Sequence, residues 1–225
     1  EDAKRLGKSY YALKNDSLAL TYMEVSLAKN PDQDDLYNDM GASYMRTKQW
    51  EKAAEMYQNR IKADSTYPNG YINFALCKMA MADFQPATAA LRKATALRPN
   101  YIAGYLYLGR ALRGADSLRA ARQAYETMAS LADSMKNNYK NELGEAYTFI
   151  TFSYLVEKNN SQALGAVTKA IEFKPNDVEL NLWRAQILHA LDRREEAKAQ
   201  YEKVMRIDPK NADAKKGLDI LQLYN

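Results

Sequence analysis

The chain has 225 residues, of which 47% are hydrophobic and 27% are charged, an ordinary composition for a soluble protein. Lys and Arg outnumber Asp and Glu by only 32 to 28, too small an excess to indicate nucleic-acid binding without a concentrated basic patch. Cys77 is the single cysteine, which excludes an intrachain disulfide and a multi-cysteine metal site. No apolar run approaches the ~20 residues that a membrane-spanning helix needs, so membrane insertion is not expected.

A pattern of small and large residues recurs six times along the chain. Its marker is an alanine, which returns at steps of 34, 34, 34, 42 and 34 residues, at Ala19, Ala53, Ala87, Ala121, Ala163 and Ala197. A small-residue position lies twelve residues before each alanine, and a large apolar residue follows it by four. Apolar positions three and four apart are typical of helices, and two helices approach closely only where side chains are small. The pattern therefore predicts a series of helical hairpins separated by turns, several of which contain proline.

In chain order, we expect hairpins over residues 1–33, 34–67, 68–101, 102–143, 144–177 and 178–211. A capping helix is expected over 212–225, and all of these elements are expected to form a single domain. The 42-residue step places eight extra residues near 133–143, close to two helical turns. We interpret them as a longer second helix in the fourth hairpin.

One unit shows the pattern most fully, as Tyr37-x-x-Met40-Gly41-x-x-Tyr44 followed by Ala53 and Tyr57. At this point the chain resembles the tetratricopeptide repeat (TPR) family, over about residues 1–210. The resemblance implies an all-α fold, a right-handed superhelical α-solenoid of antiparallel helix hairpins. It also implies that the first helix of each unit lines a concave groove.

Three positions depart from the family pattern. Lys78 stands where an aromatic residue is preferred, Thr151 where Gly or Ala is preferred, and Arg184 in a position that is usually leucine. These departures weaken the individual units but leave the period intact.

The sequence shows no group of residues that predicts catalysis. His189 is the only histidine and lies more than a hundred residues from Cys77 in a predicted extended array. Phosphate-loop, zinc-protease and calcium-loop motifs are absent from the sequence. We therefore expect no enzymatic activity and no cofactor or metal. Nucleic acid is not expected either, because the basic residues do not line every unit.

Mapping the family's groove positions onto this chain predicts a partner-binding surface that is polar at first and apolar from about Ile72 to Trp183. The predicted residues are Asn38, Asn69, Ile72, Asn73, Leu76, Leu106, Tyr107, Arg110, Phe149, Phe152 and Trp183. A large exposed apolar surface usually marks an interaction site, so we expect an apolar or amphipathic protein segment or peptide as the partner. The three asparagines match a family device that binds peptide backbone amides, because an Asn amide both donates and accepts.

The leading hypothesis is thus a non-catalytic interaction scaffold. The alternative is a structural spacer or a self-assembling subunit of a larger envelope complex, which leaves a homo-oligomer open. The chain begins with Glu1 rather than Met, so we expect that either a leader has been removed or the sequence is a fragment of a longer protein. Catalysis on a missing flanking domain stays an open alternative. Its Ala-Asp-Ser turns resemble those of bacterial cell-envelope TPR proteins, which favours the periplasm over the cytoplasm.

Overall fold

A computed structural model describes residues 2–223, and the regular elements in this range are helices. The chain divides into two compact units, Glu1–Ser117 and Leu118–Asn225, where the sequence predicted one domain. The division falls within the fourth predicted hairpin, between its first and second helices.

The first unit contains seven helices, and each predicted hairpin contributes a shorter first helix and a slightly longer second one. Their bounds are α1 Asp2–Ala12, α2 Asp16–Lys29, α3 Asp34–Arg46, α4 Trp50–Ala63, α5 Pro68–Ala80, α6 Phe84–Leu97 and α7 Ile102–Gly114.

The second unit contains the remaining helices and one short 3-10 segment. Their bounds are α8 Leu118–Ala132, the 3-10 segment Asp133–Tyr139, α9 Lys140–Val156, α10 Asn160–Phe173, α11 Val178–Ala190, α12 Arg194–Ile207 and α13 Ala212–Leu223.

The recurring small residues lie where the two helices of a hairpin approach each other. All six marker alanines are completely buried, and the large residues four positions later are at most 3% exposed. At Gly41 a Cβ atom would lie 2.7 Å from Cζ of Tyr57, which is closer than side chains can pack. The sequence prediction that these positions form the hairpin contacts is confirmed, and so is the all-α repeat fold class.

Each hairpin turns through one residue in the left-handed conformation. These residues are Lys14, Lys48, Ala82, Asp116, Lys158 and Asp192, with φ between 53° and 58°. In the second hairpin, the Lys48 amide donates to the Met45 carbonyl at 3.0 Å and the Gln49 amide donates to the Tyr44 carbonyl at 2.8 Å. Such bonds satisfy the last carbonyls of a helix and end it.

The eight extra residues do not lengthen the second helix of the fourth hairpin, so that interpretation is wrong. Helix α8 has 15 residues, against 14 in α2, α4 and α6, and ends at Ala132. The 3-10 segment follows it, with non-helical dihedral angles at Met135, and α9 then begins at Lys140 instead of at the predicted residue 144. Asn137 and Asn138 favour helix interiors poorly, which is consistent with a break at this point.

The three departures from the family pattern each have a local partner. Lys78 pairs with Asp83 at 3.0 Å, and the Arg184 guanidinium donates to the Gln200 side-chain oxygen at 2.8 Å. The buried Thr151 hydroxyl donates to the Tyr147 carbonyl at 2.7 Å, one helical turn earlier. The buried Nε atom of Arg184 has no hydrogen-bond partner among residues 2–223, so the departure at Arg184 is accommodated only in part, although the repeat period is kept.

Helix α13 packs like the first helix of a further hairpin. Gly217 contacts the Tyr201 ring so closely that a Cβ atom would clash with it, and Ala214 and Leu221 are buried. The predicted capping helix is therefore present within 212–223; Tyr224 and Asn225 lie outside the described residues.

Candidate functional site

In the first unit, the predicted groove positions of α1 and α3 hold a charged cluster. Both Lys4 and Lys8 reach Asp35, with Nζ to carboxylate oxygen distances of 2.9 and 2.5 Å. Burial opposes the charge of Asp35, but the hydrogen bonds from Lys8 and Lys4 outweigh it and lower the pKa of this carboxyl. The hydrogen bond to Asp35 correspondingly raises the pKa of Lys8. The lysines are therefore engaged within the protein, and the cluster presents mixed charge.

Two further groups of α3 lie beside this cluster. Burial raises the pKa of Asp39, because Lys8, at 4.0 Å, compensates its charge only in part. The Asn38 side-chain oxygen is buried and has no hydrogen-bond partner among residues 2–223. Buried acceptors are usually satisfied, so the Asn38 oxygen is an exception in the first unit.

The other two predicted asparagines lie on α5. Asn69 is exposed and Asn73 is half-buried, and their spacing of four residues places them on the same side of the helix. Their amides are therefore at least partly accessible in the first unit, and their binding of a peptide backbone stays a prediction.

The apolar residues predicted in the first unit differ in their surroundings. Ile72 and Leu106 are only 4% and 7% exposed, because they pack in the interior. Leu76 is half-buried, and so are Tyr107 and Arg110. The Arg110 guanidinium lies 5.8 Å from the centre of the Tyr107 ring. Only the second group offers surface to a partner.

In the second unit, an aromatic pair on α9 combines a buried and an exposed ring. Phe149 is 6% exposed and packs 5.2 Å from the Tyr125 ring, whereas Phe152 is 41% exposed, with its ring centre 6.2 Å from that of Phe149. Phe149 thus supports Phe152 from beneath. Trp183 of α11 is half-buried and packs against a buried cluster that includes Val167.

One exposed apolar residue of this surface was missed by the sequence prediction. Val156 is 52% exposed and follows Phe152 by four residues, one helical turn. Leu155, beside it, is half-buried on the same cluster as Trp183. The apolar run at the end of α9 was a signal for this residue. Phe152, Leu155, Val156 and Trp183 are called the apolar surface below.

The single cysteine and the single histidine both pack against neighbouring side chains. Cys77 is completely buried, and burial raises the pKa of its thiol to about 12, so it remains protonated at neutral pH. The His189 ring meets the Tyr201 ring edge-on at 6.4 Å. Within the described range, His, Cys, Asp and Glu side chains form no group of three or more that could hold a metal ion.

Comparison with known proteins agrees with this architecture. The tetratricopeptide repeat family model matches residues 154–218. The human DnaJ homolog subfamily C member 7 is 22% identical over 214 residues; the match covers 95% of this chain but only 37% of that protein's length.

Two solved structures share the fold. MamA has a TM-score of 0.67 and 21% identity, with 76% of this chain and 95% of that chain covered. YrrB, described as a TPR protein with an unusual peptide-binding site, has a TM-score of 0.68 and 16% identity, with 85% and 95% covered.

The buried small residues, the alternating hairpins and these matches define an all-α helical repeat protein. The tetratricopeptide repeat that the sequence pattern predicted is matched by the family model over residues 154–218, and the solved structures that share the fold include a TPR protein. Repeats of this family are in general protein-interaction scaffolds rather than enzymes. Among residues 2–223, no helix combines the length and apolar character needed to cross a membrane.

Proposed function

We propose that this chain is a scaffold that binds a protein segment on the first helices of its repeats, and that the apolar surface of the second unit supplies most of the affinity. The observation that carries this proposal is the exposure of Phe152 and Val156, one turn apart on α9. Large apolar side chains exposed side by side lose contact with water when a partner covers them, and this is favourable.

Aromatic support strengthens this proposal. Phe152 is held against the buried Phe149, so its ring loses little conformational freedom on binding. Rigid aromatic residues are frequent among the few that dominate binding energy. An apolar or amphipathic helix, or an extended peptide with apolar side chains, suits such a surface.

The first unit offers a polar binding surface of its own in this proposal. Asn69 and Asn73 present amides on one side of α5, and Asn38 has an unsatisfied buried oxygen. An amide side chain can donate to a peptide carbonyl and accept from a peptide N–H. This contact reads the backbone of a partner and adds little side-chain selectivity.

The test is affinity capture from a lysate of the source cells, followed by measurement of the identified partner's affinity. Phe152→Asp should weaken binding at least about tenfold, since a charge is placed where an apolar contact forms. Asn73→Ala should weaken it less. Thr168→Asp is the matched control, because Thr168 is exposed on α10 and its hydroxyl donates only to the Leu164 carbonyl of its own helix.

Helical circular dichroism and thermal melts should be the same for all three variants. If the folded Phe152→Asp variant captures the same partner as strongly as Thr168→Asp does, the apolar surface is not the binding site.

A further inference from the structure

Two exposed carboxylates of the second unit hold the repeat position of Asp35. Glu179 and Asp213 lie in the first turns of α11 and α13, 34 residues apart, and so occupy the same place in successive repeats. Counted from the marker alanines, Asp35 occupies this place in the second repeat. The contacts of Asp35 therefore show what surrounds a carboxylate at this position when it is neutralised within the chain.

Asp35 is neutralised by two lysines of the repeat before it. The Nζ atoms of Lys4 and Lys8 lie 2.9 and 2.5 Å from its carboxylate oxygens, across the contact between α1 and α3. Two basic side chains on the first helix of one repeat thus pair with the acidic side chain that opens the first helix of the next repeat.

The second unit keeps the carboxylates but replaces both lysines with uncharged residues. In the repeats before Glu179 and Asp213, the positions of Lys4 and Lys8 hold uncharged side chains: Thr148 and Phe152 before the first, and Leu182 and Gln186 before the second. Within residues 2–223, neither carboxylate forms an ion pair with a Lys or Arg side chain. Both charges therefore face water instead of a basic neighbour.

Phe152 places the apolar surface beside these carboxylates. It holds the position from which Lys8 reaches Asp35, and it belongs to the repeat before Glu179. On α11, Trp183 follows Glu179 by four residues, about one helical turn, and so lies on the same side of that helix. A segment that covers Phe152 and Trp183 therefore passes Glu179.

The helix N-terminus does not account for this arrangement by itself. A carboxylate in the first turn of a helix interacts favourably with the helix dipole, which explains an acidic residue at this position. Asp35 also lies in the first turn of its helix, however, and it is still paired with two lysines. The exposed Lys216 of α13 forms no ion pair with Asp213 among the described residues. The absence of basic partners is thus specific to the repeats that carry the apolar surface.

We infer that the segment that binds the apolar surface is basic and amphipathic, with lysine or arginine side chains that pair with Glu179 and Asp213. This inference rests on the proposed function. The basic residues of the partner take the place that the lysines of α1 have on Asp35, while its apolar side chains cover Phe152 and Trp183. An acidic or uncharged segment would leave the carboxylates unpaired beside a contact that excludes water, which is unfavourable. Charge complementarity of this kind selects between partners.

Fluorescence anisotropy with two labelled peptides tests this inference on the full chain. Both peptides are amphipathic helices about 18 residues long, or five turns, with the same leucine and alanine face. Their charged residues are all lysine in one peptide and all glutamate in the other. The lysine peptide should bind at least about tenfold more tightly than the glutamate peptide. This preference should shrink at high salt, because exposed charges are screened.

The double variant Glu179→Gln with Asp213→Asn should weaken binding of the lysine peptide about tenfold and remove the preference. Glu172→Gln with Glu202→Gln is the matched control, since both residues are exposed on second helices and the net charge changes equally. This control should bind like the wild type. Phe152→Ala should weaken binding of the lysine peptide without changing the charge, which tests the proposed function separately. Thermal melts monitored by circular dichroism should show that all variants are folded.

A wild type that binds both peptides equally, or neither, would overturn the inference, and so would a double variant that keeps the preference. A double variant that melts earlier but keeps the preference would assign the two carboxylates to the helix N-termini alone. If the peptides bind equally and Phe152→Ala weakens both, the apolar surface remains the binding site and only the basic character of the partner is refuted. If Phe152→Ala binds the lysine peptide as tightly as the wild type does, the proposed function fails as well.

Discussion

The first hairpin and the last helix expose different kinds of side chain. On α1 and α2, Leu6, Leu18 and Val25 are more than a third exposed. On α13 the apolar residues Ala214 and Leu221 are buried against the preceding hairpin, and most exposed positions up to Gln222 are polar, among them Lys215 and Lys216. The same repeat pattern thus exposes apolar residues on the first hairpin and mainly polar residues on α13.

The difference shows what a helical repeat needs from its neighbours. Each repeat buries its apolar face mainly against the next one, and a terminal element with a polar outer side closes the series. Helix α13 covers the preceding hairpin with its buried side, whereas Leu6, Leu18 and Val25 of the first hairpin stay exposed. We therefore expect changes on the buried side of α13 to lower stability more than changes at the exposed residues of α1 and α2.

The largest effect is expected from removing α13, by ending the chain after Asp208. Tyr201, Val204 and Leu188 would lose their cover, which should lower the free energy of unfolding of the last hairpin by roughly 3–5 kcal/mol. Hydrogen exchange should show faster exchange throughout α11 and α12. Unchanged protection in α3 and α4 is the internal control, and an equal loss of protection there would show that the chain unfolds as one cooperative unit.

The next largest effect is expected at one repeat position, where a buried residue can be compared with an exposed one. Met40 and Leu6 occupy the same position in successive repeats, but Met40 is 3% exposed and Leu6 is 39% exposed. Met40→Ala should cost about 3 kcal/mol because it leaves a cavity, whereas Leu6→Ala should cost less than about 1 kcal/mol. Urea unfolding at protein concentrations too low for association measures both. Equal losses of stability in the two variants would mean that Leu6 is covered in solution as well as Met40 is.

The hairpin contacts were predictable from the sequence because they depend on residue size. A close approach of two helices tolerates only small side chains, so Gly41 and Ala53 could be identified from their spacing alone. The same holds for Gly217 only in retrospect, since the 225 residues end before the position, twelve residues later, at which a marker alanine would identify it. Fold class and repeat period follow from these local constraints.

Side-chain exposure and backbone breaks were less predictable. The spacing placed Ile72, Leu106 and Phe149 on a groove, but whether such side chains point outward or into the contact between hairpins depends on small rotations of each helix. Likewise, the turn residues such as Lys48 and Ala82 carry no glycine signal, because the two flanking helices impose the left-handed conformation.

Glycine substitutions offer a smaller test of how tightly α13 packs. Gly217→Ala should destabilise the last hairpin by about 2 kcal/mol, because the new methyl group meets the Tyr201 ring. Gly165→Ala is the matched variant, since no atom outside its own helix backbone and neighbours lies within 4 Å of its Cβ position. It should stabilise α10 by about 0.7 kcal/mol through its higher helix propensity. Thermal melts distinguish the two signs, and a neutral Gly217→Ala would show that the Tyr201 ring moves aside easily.

The smallest effect is expected from the charged side chains at the contact between α1 and α3. The folded-state pKa of Asp39 is raised by burial, so the folded protein favours the protonated form, and ionisation above that pKa costs stability. Asp39→Asn should therefore raise the free energy of unfolding by about 0.5 kcal/mol at neutral pH, with the gain disappearing near pH 3.

The change in stability expected for Asp35→Asn has the opposite sign to that expected for Asp39→Asn, so the two variants can be compared directly. The pKa of Asp35 is lowered in the folded state, so its contribution to stability is present at neutral pH and is lost as the pH falls through that lowered value. Asp35→Asn should destabilise the protein at neutral pH, because Lys4 and Lys8 lose their partner. Urea unfolding of both variants between pH 3 and 7 measures this difference. If both variants shift stability in the same direction at neutral pH, the first hairpin is not held to α3 by the Lys4–Lys8–Asp35 contacts.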